Sequence, residues 1–242
     1  MEELIQLKKG MIIRRIHRIF IQEGISAEII DKILKLASEK NVSISRISAK
    51  KLKDSAKSHA HQGVIAEADS LKEYQLEDII EIKEQKEEDS LVVVLDEIKD
   101  PHNFGAIIRT AYAAGADAVV YQSRRAVGVT PVVLKAAAGA AEHIPLVQVS
   151  NINYALRKLK DAYYWIGGAD AAADQTYYQA DWSGSTALVI GSEGSGLRRL
   201  VKENCDFLVK IPMSGELGSL NASVAAAVII YEIFRQRGKD IS

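Results

Sequence analysis

Three polar segments of the sequence combine residue types that bind ligands, and the first of them contains Asn103 and Arg109. Asn103 is expected at or near the start of a helix. Arg109 then follows within two helical turns and is predicted to direct a permanent positive charge toward the apolar middle of a domain. Such a charge is costly unless it is paired or used, so Arg109 is either a functional cation or half of a salt bridge. The candidate salt-bridge partners are Asp96, Glu97 and Glu142.

The second segment is the glycine-rich stretch Gly-Ser-Glu-Gly-Ser-Gly at residues 191–196, directly after the predicted strand that ends in Leu188-Val189-Ile190. Its three glycines let a backbone approach a ligand closely, and the helix expected after it offers free N–H groups. The spacing matches neither the dinucleotide-binding fingerprint nor a Walker A loop, which argues against a nucleotide-dependent oxidoreductase. Taken alone, the stretch also fits a tight turn.

The third segment is a polar loop at residues 211–221 that leads into the last apolar run of the chain. Ser219 and Asn221 supply side-chain oxygens of the kind that cap a helix N-terminus. Capping accounts for part of this polar pattern but not for all of it, so a ligand-binding role stays open for the loop.

The segments lie between elements that alternate between strand and helix. Residues 91–95 form a continuous apolar, β-branched run, which is typical of a strand buried on both faces of a parallel sheet. Further strands are predicted at 118–121, 144–149, 163–167, 186–190 and 207–211, and the clearest helices at 104–115, 153–160 and 222–237. This order predicts an α/β fold with a mostly parallel sheet covered on both faces. A ligand site is then expected at the carboxyl ends of the strands.

A smaller α/β domain is predicted at residues 1–70, followed by a linker at 71–89 and the larger domain at 90–242. In the small domain, patterns of alternation and of helical spacing predict strands at 12–21, 42–47 and 61–66, a helix at 27–40 and a short helix capped by Ser48. The linker segment is acidic. A surface helix is the alternative for its first half, because apolar residues recur there at helical spacing. They are Leu71, Tyr74, Leu76, Ile79 and Ile80.

The composition is that of a globular protein, with 48% hydrophobic and 26% charged residues in a chain of 242. No run approaches the roughly 20 apolar residues that span a bilayer, and no signal-peptide pattern opens the chain. We therefore expect a cytoplasmic protein without a membrane partner. Cys205 is the single cysteine, so one chain cannot build a disulfide or a thiolate-rich zinc cluster, and no metal site is expected.

The net charge of −1 conceals a strong segregation of charge along the chain. Residues 1–65 contain 13 Lys and Arg against 7 Asp and Glu, residues 66–89 contain 3 against 10, and residues 90–242 contain 15 of each. A basic domain attracts phosphates whatever the charge of the whole chain. An excess of this size also fits a solvated helix face, so charge alone leaves a nucleic-acid partner open.

The three polar segments, in this order, resemble the motifs of the SpoU/TrmH RNA 2′-O-methyltransferases of the SPOUT superfamily. The resemblance runs over residues 91–237 and includes the alanine-rich segment 135–142. The N-terminal part, with His61-Gln62-Gly63, resembles the L30e-like substrate-binding domain of the subfamily that methylates a guanosine of 23S ribosomal RNA. The resemblance implies a deep trefoil knot, S-adenosyl-L-methionine as cofactor, and a homodimer through the C-terminal domain whose active sites borrow residues across the interface.

The resemblance also implies roles for individual residues. Arg109 would contact the phosphate and hydroxyl of the target nucleotide, and because a guanidinium stays protonated we favour an electrostatic role over a role as base. The other implied catalytic residues are Asn103, Glu193, Ser219 and Asn221, and the implied cofactor-binding residues are Gly191, Ser192, Ile211, Met213 and Leu220. The alternatives are a transfer RNA ribose methyltransferase, which generally lacks the N-terminal domain, and a non-catalytic RNA-binding protein.

Overall fold

The computed structural model describes residues 14–25, 28–56, 61–85, 88–215 and 218–238. The chain divides into two compact units, residues 1–72 and 73–242. Residues 12, 13 and 27, at the starts of a predicted strand and a predicted helix, lie outside the described residues.

In its described residues, the first unit is a three-stranded sheet with two helices. Its elements are β1 (Ile16–Gln22), α1 (Glu28–Glu39), β2 (Ser43–Ile47), α2 (Ala49–Ser55) and β3 (Val64–Ala68). The central strand β1 is parallel to β2 and antiparallel to β3. Ile19 and Ile21 on β1 pack against Ile33 and Ala37 on α1, and all four are buried. Ser48 caps α2 by accepting a hydrogen bond from the Lys51 backbone N–H, as the sequence predicts.

The second unit carries the larger sheet. Its elements are α3 (Leu76–Glu84), β4 (Leu91–Asp96), α4 (Pro101–Ala113), β5 (Ala118–Gln122), α5 (Pro131–Ala136), a 3-10 turn (Ala140–Glu142), β6 (Leu146–Val149), α6 (Ile152–Asp161), β7 (Trp165–Ala169), β8 (Gln175–Thr176), β9 (Thr186–Gly191), α7 (Arg199–Glu203), β10 (Phe207–Lys210) and α8 (Ala222–Gln236).

The seven strands of this sheet stand in the order β6-β5-β4-β9-β7-β10-β8, and each neighbouring pair is parallel. This confirms the predicted α/β class. Strand β7 begins at Trp165 and not at residue 163, because Tyr163 adopts a left-handed backbone with φ of 64° in the turn that ends α6. The trefoil knot stays a prediction from the family resemblance.

The segment predicted as a linker contains the helix α3. Leu76 and Ile79 on α3 are buried in the core of the second unit, and Tyr74 just before the helix bridges to Val147 on β6. The helix considered as the alternative is therefore what forms. Most of the segment 71–89 belongs to the second unit.

The last helix, α8, is fixed at both ends. Asn221 caps its start, where the side-chain Oδ1 accepts hydrogen bonds from the backbone N–H groups of Ser223 (2.9 Å) and Val224 (3.4 Å). At its end, Arg237 donates to the carbonyl oxygens of Ser90 (3.1 Å) and Gly184 (2.8 Å). The start of α8, where the third polar segment ends, is thus held in a defined place. Within the described ranges, no helix combines the length and apolar character that crossing a membrane requires.

Candidate active site

A cavity of about 400 Å³ lies where the loops after β7, β9 and β10 meet the start of α8. Its walls include all five residues implied to bind the cofactor. They are Gly191, Ser192, Ile211, Met213 and Leu220. The volume falls within the range of roughly 300–1,000 Å³ that is usual for small-molecule sites. The second and third polar segments therefore converge on one cavity at the carboxyl ends of the strands.

The glycine-rich loop folds back on itself at the C-terminal end of β9. The Gly196 backbone N–H donates to the Ser192 carbonyl oxygen over 2.9 Å. A Cβ atom at Gly191 would lie 2.3 Å from the carbonyl carbon of Gly196, a separation that no folded chain tolerates. The loop is thus the tight turn that the sequence allows, and it also exposes its backbone to the cavity.

Three side chains, one from each polar segment, form a hydrogen-bonded network beside the cavity. Asn103 donates through Nδ2 to Glu193 Oε1 over 2.9 Å. Asn221 donates through Nδ2 to the same oxygen over 2.5 Å and to Asn103 Oδ1 over 3.0 Å. Glu193 lines the cavity. We call Asn103, Glu193 and Asn221 the amide–carboxylate network.

Local sequence fixes the orientation of this network. Asp100 caps α4 and Pro101 occupies its first turn, which places Asn103 at the helix start with only 6% of its surface exposed. The cap that Asn221 forms on α8 uses its Oδ1 atom, so its Nδ2 is directed to Glu193. The two helix starts therefore aim both amides at one carboxylate oxygen.

The expected direction of Arg109 is wrong. Its side chain is exposed, and α4 directs Ile107, Ile108 and Ala111 into the core instead. His102, two helical turns before Arg109, is exposed on the same stripe of the helix. Arg109 does not line the cavity. Among the described residues, it has no hydrogen bond or ion pair.

The structure also corrects the expected capping role of Ser219. Ser219 lines the cavity, but the cap of α8 is formed by Asn221. Within the described ranges, the Ser219 hydroxyl has no hydrogen-bond partner in the chain. Among the described residues, Ser219 is therefore connected to the site only by its position in the cavity wall.

Sequence reasoning missed the role of Arg198. Arg198 donates from its backbone N–H to Asp96 Oδ2 (3.0 Å) and from Nε to Asp96 Oδ1 (2.8 Å). Its Nη2 donates to Gln122 Oε1 over 2.8 Å, and its Nη1 lies 3.3 Å from Glu97 Oε1. Two of the acids considered as partners of Arg109 are thus paired with Arg198. The sequence signal for this contact was the position of Asp96 directly after the apolar run 91–95. An acid at the end of a buried strand requires a partner.

A second missed pair lies in the wall of the cavity. Asp170, which follows β7 directly, forms an ion pair with Lys202 on α7 and accepts a hydrogen bond from the Ala172 backbone N–H over 2.9 Å. Burial raises the pKa of the Asp170 carboxyl, but the bonds from Lys202 and Ala172 outweigh it and leave the pKa below its ordinary value. The carboxylate is therefore ionised.

Comparison with known proteins identifies the family. Residues 90–231 match the SpoU rRNA Methylase family, and residues 8–74 match the RNA 2′-O ribose methyltransferase substrate binding family. The chain belongs to the SpoU rRNA methylase family. This SpoU methylase is an RNA 2′-O-ribose methyltransferase that depends on S-adenosylmethionine.

Similar proteins cover most of this SpoU methylase. A Bacillus subtilis protein, YacO, assigned to the TrmH family of tRNA/rRNA methyltransferases, is 42% identical over 224 residues, which are 93% of this chain and 90% of that protein. The SpoU methyltransferase AviRb from Streptomyces viridochromogenes, solved in complex with AdoMet, is 26% identical with a TM-score of 0.78, covering 93% and 84% of the two chains. The A. aeolicus TrmH/SpoU tRNA modifying enzyme is 30% identical with a TM-score of 0.57, covering 67% and 82%.

The cavity of this SpoU methylase fits an adenosine-based cofactor. Apolar side chains of the kind that flank a purine ring form much of its wall. They include Ile190, Val209, Ile211, Leu220 and Ile229. The glycine-rich loop supplies backbone polar groups at close range, because Gly191, Gly194 and Gly196 all line the cavity and carry no side chains. The residues present therefore suit S-adenosylmethionine.

Proposed function

We propose that this enzyme methylates the ribose 2′-hydroxyl of a guanosine in 23S ribosomal RNA, in the cytoplasm. The observation that carries the proposal is that Glu193 belongs both to the cavity wall and to the amide–carboxylate network. A cofactor in the cavity and a ribose at the network would then be neighbours. S-adenosylmethionine supplies an electrophilic methyl group when it is bound, and the protein supplies positioning, which can account for much of the rate.

The network suggests what each side chain does. Both amide donors bind Oε1 of Glu193, which leaves Oε2 to accept a hydrogen bond from the target hydroxyl. Asn103 and Asn221 would hold that carboxylate in register, while Ser219 would contact substrate or cofactor from the cavity wall. Gly191, Ile211 and Leu220 would bind the cofactor mainly through backbone, with Ser192 and Met213 nearby.

The N-terminal unit favours ribosomal RNA over transfer RNA, which is the second candidate. Residues 8–74 match the RNA 2′-O ribose methyltransferase substrate binding family, whereas the A. aeolicus tRNA modifying enzyme aligns with only 67% of this chain. The N-terminal unit also has a basic surface: over residues 14–65, nine exposed Lys and Arg residues outnumber four exposed acids in the described ranges. The nine are Arg15, Arg18, Lys32, Lys35, Lys40, Arg46, Lys50, Lys51 and Lys53.

We expect the purified enzyme to methylate 23S ribosomal RNA isolated from a strain that lacks it, at one guanosine 2′-hydroxyl. Primer extension at low nucleotide concentration maps the position, and total tRNA from the same strain is the control substrate.

Deleting residues 1–72 should weaken RNA binding and reduce the slope of log affinity against log salt, since fewer phosphates are neutralised. S-adenosylmethionine affinity should stay unchanged, because α3 remains with the catalytic unit. Methyl transfer confined to tRNA, or an unchanged salt slope, would contradict this assignment.

We further propose that the enzyme is a homodimer in which Arg109 acts on the active site of the partner subunit. Arg109 lies outside the cavity of its own chain, exposed and without a partner among the described residues. Helix α8 also presents large apolar side chains to solvent, with Val224 and Tyr231 each 48% exposed. A two-fold interface that covers this face would bring Arg109 of one chain toward the cavity of the other.

Complementation between two inactive variants tests the shared site. Gly191→Ala should lose cofactor binding, and Arg109→Ala should lose turnover. If Arg109 acts across the interface, co-expressed variants should regain activity at about a quarter of the sites, because half of the dimers are mixed and each has one intact combination. Activity that stays at the level of the separate variants would place Arg109 in its own chain's site. Light scattering on the mixed sample reports whether dimers form.

A further inference from the structure

Four side chains with formal charge line the cavity, and they stand in different surroundings. Glu193 belongs to the amide–carboxylate network. Lys210 ends strand β10. Asp170 and Lys202 form an ion pair in which the Asp170 side chain is only 10% exposed, against 36% for Lys202. The cavity wall therefore contains a nearly buried carboxylate, that of Asp170, which takes no part in the amide–carboxylate network.

The carboxylate of Asp170 still has acceptor capacity. One oxygen, Oδ1, accepts from the Ala172 backbone N–H, and the other, Oδ2, pairs with Lys202. An ionised carboxylate offers about four acceptor sites over its two oxygens. One site on each oxygen is thus left, and a ligand with two adjacent hydroxyl donors matches that number.

We propose that Asp170 binds the ribose 2′- and 3′-hydroxyls of the cofactor, and that Lys202 positions the Asp170 carboxylate. This proposal rests on the proposed binding of S-adenosylmethionine in this cavity. The ribose diol is the part of the cofactor with two vicinal O–H donors. In doubly wound nucleotide-binding folds, an acid near a strand end binds ribose hydroxyls in the same chemical manner. Asp170 likewise stands directly after β7.

The amino-acid tail of the cofactor is the rival ligand for this pair. Its ammonium and carboxylate groups could bind Asp170 and Lys202 only by displacing the ion pair that these two side chains already form. A neutral ion pair with unused acceptor sites is better suited to hydroxyl donors, and two donors can use both oxygens at once.

Calorimetry with two ligands separates the ribose from the tail. S-adenosylhomocysteine has both parts, while 5′-methylthioadenosine keeps the diol and lacks the amino acid. Asp170→Ala should weaken both ligands by a similar factor, roughly 10- to 100-fold, as expected for loss of hydrogen bonds to a charged group. The 2′-deoxy form of 5′-methylthioadenosine lacks one of the two hydroxyls. For this ligand, the difference in affinity between Asp170→Ala and the wild type should be smaller. Lys202→Met should produce a smaller loss for both diol-containing ligands.

Asp174→Ala is the matched control, since Asp174 is an exposed acid of the same loop that does not line the cavity. It should leave both affinities unchanged. Weakening of S-adenosylhomocysteine alone would assign Asp170 to the tail, and equal affinities for wild type and Asp170→Ala would remove it from the site. Leu220→Asp reports on the cavity itself: if it weakens binding while Asp170→Ala does not, the diol assignment fails and the proposed cofactor site stands.

Discussion

Arg109→Ala is expected to reduce turnover by about 100- to 1,000-fold, the usual loss when one preorganised electrostatic donor is removed. The affinity for S-adenosylmethionine and the melting temperature should stay unchanged. Arg109 is exposed, does not line the cavity and has no partner within the described ranges, so its removal breaks no contact that holds the fold or the cofactor. Single-turnover kinetics, calorimetry and thermal unfolding on one preparation measure the three quantities.

Arg109→Lys should restore little of the lost rate. A single ammonium cannot reproduce the planar fork with which a guanidinium grips phosphate and hydroxyl together. Arg157→Ala provides a matched control, because Arg157 is also an exposed arginine on a helix of the second unit, and it should be close to neutral. If Arg109→Ala lost activity only in proportion to lost cofactor binding or lost folding, Arg109 would be structural and the catalytic assignment would be wrong.

Asp96→Ala is expected to lower the free energy of unfolding by about 3–5 kcal/mol, because it leaves a hydrogen-bonded cation without its buried partner. Asp96 is fully buried and accepts two hydrogen bonds from Arg198. At roughly 2–4 °C per kcal/mol for a chain of this size, the melting temperature should fall by about 6–20 °C. Urea unfolding and calorimetry measure both values.

The exposed pair of Arg199 and Glu203 is the control for this loss. Their side chains are 83% and 53% exposed, so Glu203→Ala should cost at most about 1 kcal/mol. The double variant Asp96→Ala/Arg198→Met should recover part of the stability, since it also removes the cation that has lost its buried partner. A cost for Asp96→Ala no greater than that for Glu203→Ala would show that the Asp96–Arg198 pair contributes little to the fold.

The features that the sequence predicts best are those that depend on residues close together in the chain. Strand β4 is a run of β-branched residues that a parallel sheet buries on both sides, and its bounds differ from the prediction by one residue. The convergence of the glycine-rich loop with the loop before α8 follows from the rule that parallel strands end at one edge. The predicted position of Asn103 near a helix start is also a local feature, because Asp100 caps α4 and Pro101 occupies its first turn.

The failures concern the rotation of a helix and contacts between distant residues. Whether Arg109 points inward depends on which stripe of α4 packs against the sheet, and the apolar residues Ile107 and Ile108 decide this against it. Asp96 and Arg198 are 102 positions apart, so only the pairing of β4 with β9 brings them together. For the segment 71–89 the acidic composition favoured a linker, whereas the helical spacing of Leu76 and Ile79 indicated the helix α3 that forms.

The glycine-rich loop uses glycine for two different physical reasons, and this sets unequal limits on its mutational tolerance. At residue 191 the neighbouring backbone occupies the space of a Cβ atom, so every side chain is excluded, whatever its size or polarity. Gly194 has no other part of the chain within reach of a Cβ atom and a φ of 79°, so within the fold of the loop it is restricted by backbone conformation. Asparagine and aspartate adopt this region at modest cost. We therefore expect substitutions at position 194 to keep the fold of the loop and substitutions at position 191 to disrupt it.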